Sequence, residues 1–441
     1  MNLPLGPQSS YWLQSLQILF DPTNSLSKWS KKYGDTFRLG GKRKPYTVSF
    51  SSPEAIQTIL NASPEIIGYV QKSFLIKSLL GDSSLIFLPE QEHQRQRKLI
   101  IPACNQVNLE ILGKEIGDIT ENTLINLKSN ASFEVRSAMK EISLKVILVF
   151  IFGNKKNSNS KKIGQIISKI FDLFESSFFA SYLLIGKFVP SLFEKKIGVW
   201  NKYKQLQQEL KILIKAEIVK DKGNNEKNLL SILTLAHDEN SQKMTDREIY
   251  DAIMTLIFAG FETAAAATSW MLYWVHYIPG IKKRLSEEIL KNNININPMK
   301  VMRLSYLNAV CNETLRITPP AISAFARTVK QGLEIEGYYL EPGTNIDITI
   351  YLAHRRKSVY PEPDKFKPER FLQKQFSPYE YLPFGGGQCR CIGASFAQYE
   401  MKIVLATIIN NFELEIIDPK PLKPKRHGIV MIPPNFKMKF K

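Results

Sequence analysis

One stretch of this chain has to lie at the centre of whatever the chain folds into. Thr245 and Glu248 form a Thr-x-x-Glu capping box, and the residues after it stay apolar to about position 276, where Pro279-Gly280 stops the run. A helix of that length, apolar round much of its circumference, must be covered by other elements, so a mainly helical body is expected around it. Within the run stands Ala259-Gly260-Phe261-Glu262-Thr263. A glycine in mid-helix costs about 1 kcal/mol relative to alanine and so invites a reason. Two reasons are open: close contact with another helix, or a flat ligand lying against small residues. Thr263 can also bond back to the carbonyl of Ala259, loosening the helix there.

The second constraint is the loop at 383–396, Pro-Phe-Gly-Gly-Gly-Gln-Cys-Arg-Cys-Ile-Gly-Ala-Ser-Phe. Gly385, Gly386 and Gly387 permit backbone conformations closed to other residues. Soon after Gly393 a helix-like run begins, with Phe396, Ala397, Met401, Val404 and Leu405 at helical spacing. Cys391 is thereby placed where loop amides and the positive end of the next helix both stabilise a thiolate, the form of sulfur that binds metal. A zinc site would need further ligands at fixed spacing, and Cys104 and Cys311 each stand alone.

Two polar pairs accompany these features. His93 and Arg97 are four apart and share a helical face, giving two donors suited to a pair of carboxylates; an exposed basic face is the plainer explanation. Glu313 and Arg316, three apart, can form a bidentate pair, although such pairs are common on surfaces.

Together these residues resemble the cytochrome P450 family. Phe384, Gly387, Cys391 and Gly393 match in register its cysteine-ligand loop, Phe-x-x-Gly-x-(Arg or His)-x-Cys-x-Gly. Residues 259–263 resemble its oxygen-binding signature, and Glu313-Thr-Leu-Arg316 resembles its Glu-x-x-Arg, with Arg370 in Pro368-Glu369-Arg370-Phe371 as a third partner. His93 and Arg97, followed by 97–103, resemble its propionate-binding segment. The resemblance covers roughly residues 30 to 435. It implies the cytochrome P450 fold, mainly α with small β-sheets, and haem b (iron protoporphyrin IX) with Cys391 as the axial iron ligand. It further implies propionate contacts from His93, Arg97 and Arg327, and haem contacts from Ala259, Gly260, Phe384, Gly385 and Gly393. Thr263 and Glu262 would be the catalytic pair, the first stabilising dioxygen and the second serving proton delivery, while Glu313, Arg316 and Arg370 would form a structural triad. One position departs from the pattern. Cys389 occupies the Arg/His slot, with Arg390 one residue out of register.

The activity so implied is a monooxygenase that inserts one oxygen atom from dioxygen into a lipophilic substrate. Phe171, Phe174, Phe178, Phe179, Tyr182, Phe188 and Phe193 suggest a lipophilic substrate entrance, with helix packing as the competing account; a fatty acid is the first expectation and a terpenoid the second. The alternatives are a peroxide-driven hydroxylase or isomerase of the same fold, against which Glu262 and Thr263 argue, and a non-enzymatic haem-thiolate sensor or lipid carrier. With no flavin or Rossmann fingerprint, electrons are expected from a separate protein, and the net charge of +18 points to an acidic ferredoxin. Nucleic acid is set aside because the lysines are scattered and the aromatics lie in apolar runs. Unpaired cysteines and the lack of a signal-peptide pattern lead to the expectation of a soluble, cytoplasmic, monomeric protein with at most peripheral membrane contact.

With no Pro/Gly/Ser-rich linker, a single domain over 1–441 is expected. In residues 1–30 an apolar stretch through Trp12, Leu16 and Leu19 is expected to pack on the core, with contact with a membrane surface as the other reading. About 30–60 and 325–380 read as β-rich, including a hairpin across Gly40-Gly41, and Ser52-Pro53 reads as a helix start. The remainder is expected to be helical, with one helix at 133–152 and loops at 154–162 and 221–228.

Overall fold

The computed structural model describes residues 3–41, 46–69, 77, 79–154, 158–175, 198–221, 228–292 and 297–441. Helices α1 (Tyr11–Phe20) and α2 (Pro22–Tyr33) are divided by Asp21, whose N–H closes α1 on Gln17 O and whose carboxylate accepts from Asn24 N–H to cap α2. Strands β1 (Thr36–Leu39) and β2 (Thr47–Phe50) form the expected antiparallel pair, Thr36 opposite Phe50. Ser52 accepts from Ala55 N–H and Pro53 takes the first turn of α3 (Pro53–Asn61). Then come β3 (Ile67–Tyr69), α4 (Glu90–Gln106), α5 (Leu109–Leu127), β4 (Phe133–Glu134), α6 (Val135–Phe152), α7 (Ser158–Glu175), α8 (Gly198–Asp221), α9 (Leu229–Leu235) and α10 (Asp246–Tyr277). The chain continues through α11 (Ile281–Lys291), α12 (Pro298–Val301), α13 (Ser305–Ile317), β5 (Arg327–Val329), β6 (Leu333–Ile335), β7 (Tyr338–Leu340) and β8 (Asn345–Ile348). It ends with α14 (Ile350–Ala353), α15 (Arg370–Gln373), α16 (Ala394–Asn411), β9 (Leu414–Ile416), β10 (Lys425–His427), β11 (Val430–Ile432) and β12 (Lys437–Phe440).

The capping box at the head of α10 is formed: Glu248 accepts from Thr245 N–H at 2.7 Å, and Thr245 Oγ1 accepts from Glu248 N–H at 3.2 Å. This helix has the length and composition of a membrane span, yet 72% of its most apolar window is buried, so it serves as a core helix.

The chain forms two compact units. The first comprises Met1–Lys72, Leu109–Ser143 and Gly260–Lys441, the second Ser73–Asn108 and Leu144–Ala259. All twelve described strands lie in the first, where a five-stranded sheet runs β1-β2-β8-β5-β3, with β2 and β8 parallel. Its alternating apolar residues, among them Val48, Phe50, Ile346 and Ile348, join Ile56 of α3 and Leu382 in one core cluster. The second unit is helical, packing α7 on α8 and α4 on α9.

Three expectations need correction. Residues 133–134 are a strand and not the first turn of a helix, because Phe133 pairs with Met438 of β12 and its ring lies 5.4 Å from that of Phe440. The polar run at 154–162 is helical from Ser158, where α7 starts, set by the buried stripe Ile163, Ile166, Ile167 and Ile170 that follows at helical spacing; residues 155–157 lie outside the described residues. Trp12 and Leu16 do not pack on the core. They are exposed on α1, whose one buried residue is Gln14, while Leu19 is half-buried and Ile18 beside it packs on the cluster of Leu26, Trp29 and Phe37.

Candidate active site

The cysteine loop is held from below by Leu382, whose side chain sits in the core cluster and whose N–H donates to His354 Nε2 at 3.0 Å. Gly385 N–H then donates to Leu382 O, and Gly385 and Gly387 adopt φ of +66° and +63°, where a Cβ costs about 1–2 kcal/mol. Gly386 is constrained by space, since a Cβ there would come 2.5 Å from Leu60 Cδ1. A 3₁₀ turn over Gly387–Cys389 leads to Cys391, whose N–H donates to Phe384 O at 2.9 Å. Cys391 is exposed; a Cβ on Gly393, the cap of α16, would lie 4.0 Å from its Sγ. The sulfur therefore stands just ahead of a helix N-terminus, which favours a thiolate. Cys389 is half-buried, and Arg390 is exposed.

The structure brings Glu313, Arg316 and Arg370 together. Arg316 donates Nε to Glu313 Oε2 at 2.6 Å and a terminal nitrogen to Oε1 at 2.9 Å, and Arg370 Nε donates to Oε1 at 3.1 Å. Glu313 and Arg316 are completely buried. Such a cluster is tolerable only when every group is satisfied, and here Lys367 N–H, His354 O and Lys365 O take up the remaining capacity. His354, which sequence reasoning missed, thus touches the cluster through its carbonyl and the cysteine loop through its ring. Burial and the neighbouring arginines push its pKa down to about 3, so the ring is neutral and can accept.

Arg327, at the start of β5, is buried; it donates to Phe325 O at 2.9 Å and its guanidinium carbon lies 5.5 Å from the Tyr69 ring centre. Burial pulls its pKa below the usual arginine range, which marks a cation that an added carboxylate would stabilise. His93 and Arg97 lie on α4, in the second unit, one turn apart. Burial and Arg97 push His93 down to about 4, so it offers a neutral N–H.

In α10, Ala259 is exposed and Gly260 and Thr263 are half-buried, whereas Phe261 and Ala264 to Trp270 are buried. Thr263 Oγ1 donates to Gly260 O at 3.0 Å. Glu262 turns toward α6 instead, where its buried carboxylate meets Arg136 at 3.3 Å and Lys140 at 3.1 Å. Those two cations also escaped sequence reasoning; the signal was a basic pair four apart on a helix that is otherwise largely apolar.

The cytochrome P450 family profile matches residues 4–440, and the chain belongs to that family. It is accordingly a haem monooxygenase of the oxidoreductase class, one that works with a redox partner and a small-molecule substrate, and its fold binds haem b through a cysteine thiolate. Among its relatives, cytochrome P450 135B1 of Mycobacterium tuberculosis is 28% identical over 440 residues, covering 98% of this chain and 90% of the relative. Cytochrome P450 3A9 of Rattus norvegicus is 28% identical over 428 residues, covering 91% and 83%. The fold is that of a solved cyanobacterial CYP120A1 with retinoic acid bound, at a TM-score of 0.81, 22% identity and full coverage of both chains. The residues on hand fit haem b: a thiol at a helix start, a buried guanidinium for a propionate, and small residues at 259–260 of α10 that are exposed or half-buried.

Proposed function

We propose that Cys391 is the axial ligand, that Arg327, His93 and Arg97 hold the propionates, and that Ala259, Gly260, Phe384, Gly385 and Gly393 border the haem. When bound, haem supplies the oxygen-activating chemistry, by which one atom of dioxygen enters the substrate and the other leaves as water. The protein's part is positioning and proton handling. Thr263 Oγ1 carries a proton on α10, and Glu262 can pass protons only by leaving Arg136 or Lys140, so those two cations set the ease of the transfer. The triad of Glu313, Arg316 and Arg370 keeps the loop in place through His354.

The substrate is lipophilic, a fatty acid first and a terpenoid second. Phe171 stacks on Phe258 at 4.7 Å next to Ala259 in sequence, which supports an apolar lining; the other aromatics that suggested it, Phe174 to Phe193, lie outside the described side chains. Retinoic acid, named with the structural neighbour, is a lipophilic acid built on an isoprenoid chain and is compatible with either class. Electrons come from an acidic ferredoxin, a reading supported by the +18 charge and by exposed Arg390 beside Cys391.

The observation that carries this reading is the Cys391 loop running into α16. Its test is the absorption spectrum of the reduced protein under carbon monoxide. A strongly red-shifted Soret band should survive Cys389→Ala and vanish in Cys391→Ala. A band unchanged by Cys391→Ala would remove the proposed ligand.

A further inference from the structure

Helix α1 leaves most of its apolar side chains in solvent. Its buried residue is Gln14, 2% exposed, whose side-chain amide donates to Pro7 O and Ser9 O and whose Oε1 accepts from Gly40 N–H at 2.8 Å. Of its apolar residues Ile18 packs on the cluster of Leu26, Trp29 and Phe37 and Leu19 is half-buried, whereas Tyr11, Trp12, Leu13, Leu16 and Phe20 are exposed, Phe20 at 79%, and so is Leu5 just before the helix. This segment is fixed to the body. Arg38 N–H donates to Leu5 O at 3.0 Å, and Gly6 packs so closely on Arg38 O that a Cβ there would lie 1.9 Å from it. Surface helices ordinarily turn charge to water, yet the ten residues of α1 contain no charged side chain.

We infer that α1 docks on an anionic lipid bilayer, with Tyr11, Trp12, Leu13, Leu16 and Phe20 entering the interfacial layer and Lys28, Lys31 and Lys32 of α2 meeting the phosphates. Charge and chemistry select this occupant. Lys28 lines the same groove of about 390 Å³ as Leu16 and Phe20; Asp21 lines it too, with its carboxylate accepting from Asn24 N–H as the cap of α2. Lys31 and Lys32 are exposed on the same helix, and the whole chain carries +18. The adjacent rings of Tyr11 and Trp12, 6.1 Å apart, are of the type that settles at headgroup level. A helix of ten residues is about 15 Å long, too short to span a bilayer but sufficient to lie in the membrane plane.

Flotation of the haem-loaded full chain with phosphatidylcholine vesicles, with and without phosphatidylglycerol, tests this; haem content measured in parallel reports folding and keeps the result separate from the ligand assignment. Wild type should float with the anionic vesicles. Leu16→Ser with Phe20→Ser should lower partitioning by about tenfold or more, while Lys28→Ala, Lys31→Ala and Lys32→Ala together should erase the preference for phosphatidylglycerol. Binding that ignores these substitutions would overturn the inference. So would a vesicle-indifferent dimer that Phe20→Ser turns into a monomer, which would make α1 an interface between copies of this chain.

Discussion

Thr263 and Glu262 are neighbours in sequence and opposites in environment. Thr263 is half-buried and bonded to its own helix, whereas Glu262 is buried between two cations of α6. The pair should therefore separate in function. Thr263→Ala should divert electrons from product to hydrogen peroxide, lowering product per electron pair by roughly ten- to a hundredfold, while turnover driven by added peroxide stays near wild type. Reductant consumption and product measured together decide it, and unchanged coupling would leave Thr263 without a proton role. At this scale the sequence was readable wherever chemistry is local. Gly385 and Gly387 announced a turn, and both take positive φ. What lay hidden was partnership over distance: nothing near Glu262 reveals Arg136, and nothing near Leu382 reveals His354, because ion pairs and buried hydrogen bonds are settled by packing.

At the scale of elements, α16 carries its own buried acid. Glu400 is 1% exposed on the helix that follows the cysteine loop, and burial raises its pKa from 4.5 to about 8, with the Ser143 hydroxyl acting in the other direction. A carboxyl with a folded value above its unfolded one stays protonated in the folded chain, so its stabilising balance is complete below pH 4.5 and is lost as pH rises toward 8. Wild type should lose about 1.4 kcal/mol per pH unit across that window from this group alone. Glu400→Gln should lack that component, so its urea-unfolding stability should gain on wild type as pH rises; parallel pH curves would show that Glu400 does not titrate there. Element boundaries follow the same division between local and distant causes. The Thr245 box and the Ser52-Pro53 start lie within a few residues and were legible. Strand β4 was not, since its pairing residue Met438 lies at the far end of the chain, and neither was the outward face of α1, since apolar composition says nothing of which side a helix buries.

For the whole molecule, acid should act through histidines held neutral. His93 falls to about 4 and His354 to about 3, both from 6.5. Their folded values lie below the unfolded one, so the folded state holds its advantage above pH 6.5. It loses that advantage as pH falls through the window ending near 4 for His93 and near 3 for His354. The slope is about 1.4 kcal/mol per pH unit for each histidine. His93→Gln should flatten the acid limb of the denaturation curve by one such contribution above pH 4; an unaltered limb would show that His93 is not buried neutral. The mainly helical, haem-binding character of the chain was visible in its motifs because four of them, widely separated, converge on one chemistry. The division into two compact units was not, because each unit is assembled from stretches far apart in sequence.

The solvent-facing apolar residues of the first helix have a consequence for how this protein can change over time. An inward glutamine, a glycine backed onto a strand, and Ile18, which packs on the Trp29 and Phe37 cluster and accepts at its carbonyl from Arg426, secure α1, so the fold places little demand on Tyr11, Trp12, Leu13, Leu16 or Phe20. Mutational drift at those five positions should be free as far as folding is concerned. Gln14 and the five outward residues can therefore evolve under separate pressures on the same three turns of helix, the first answering to the fold and the others to what surrounds the protein.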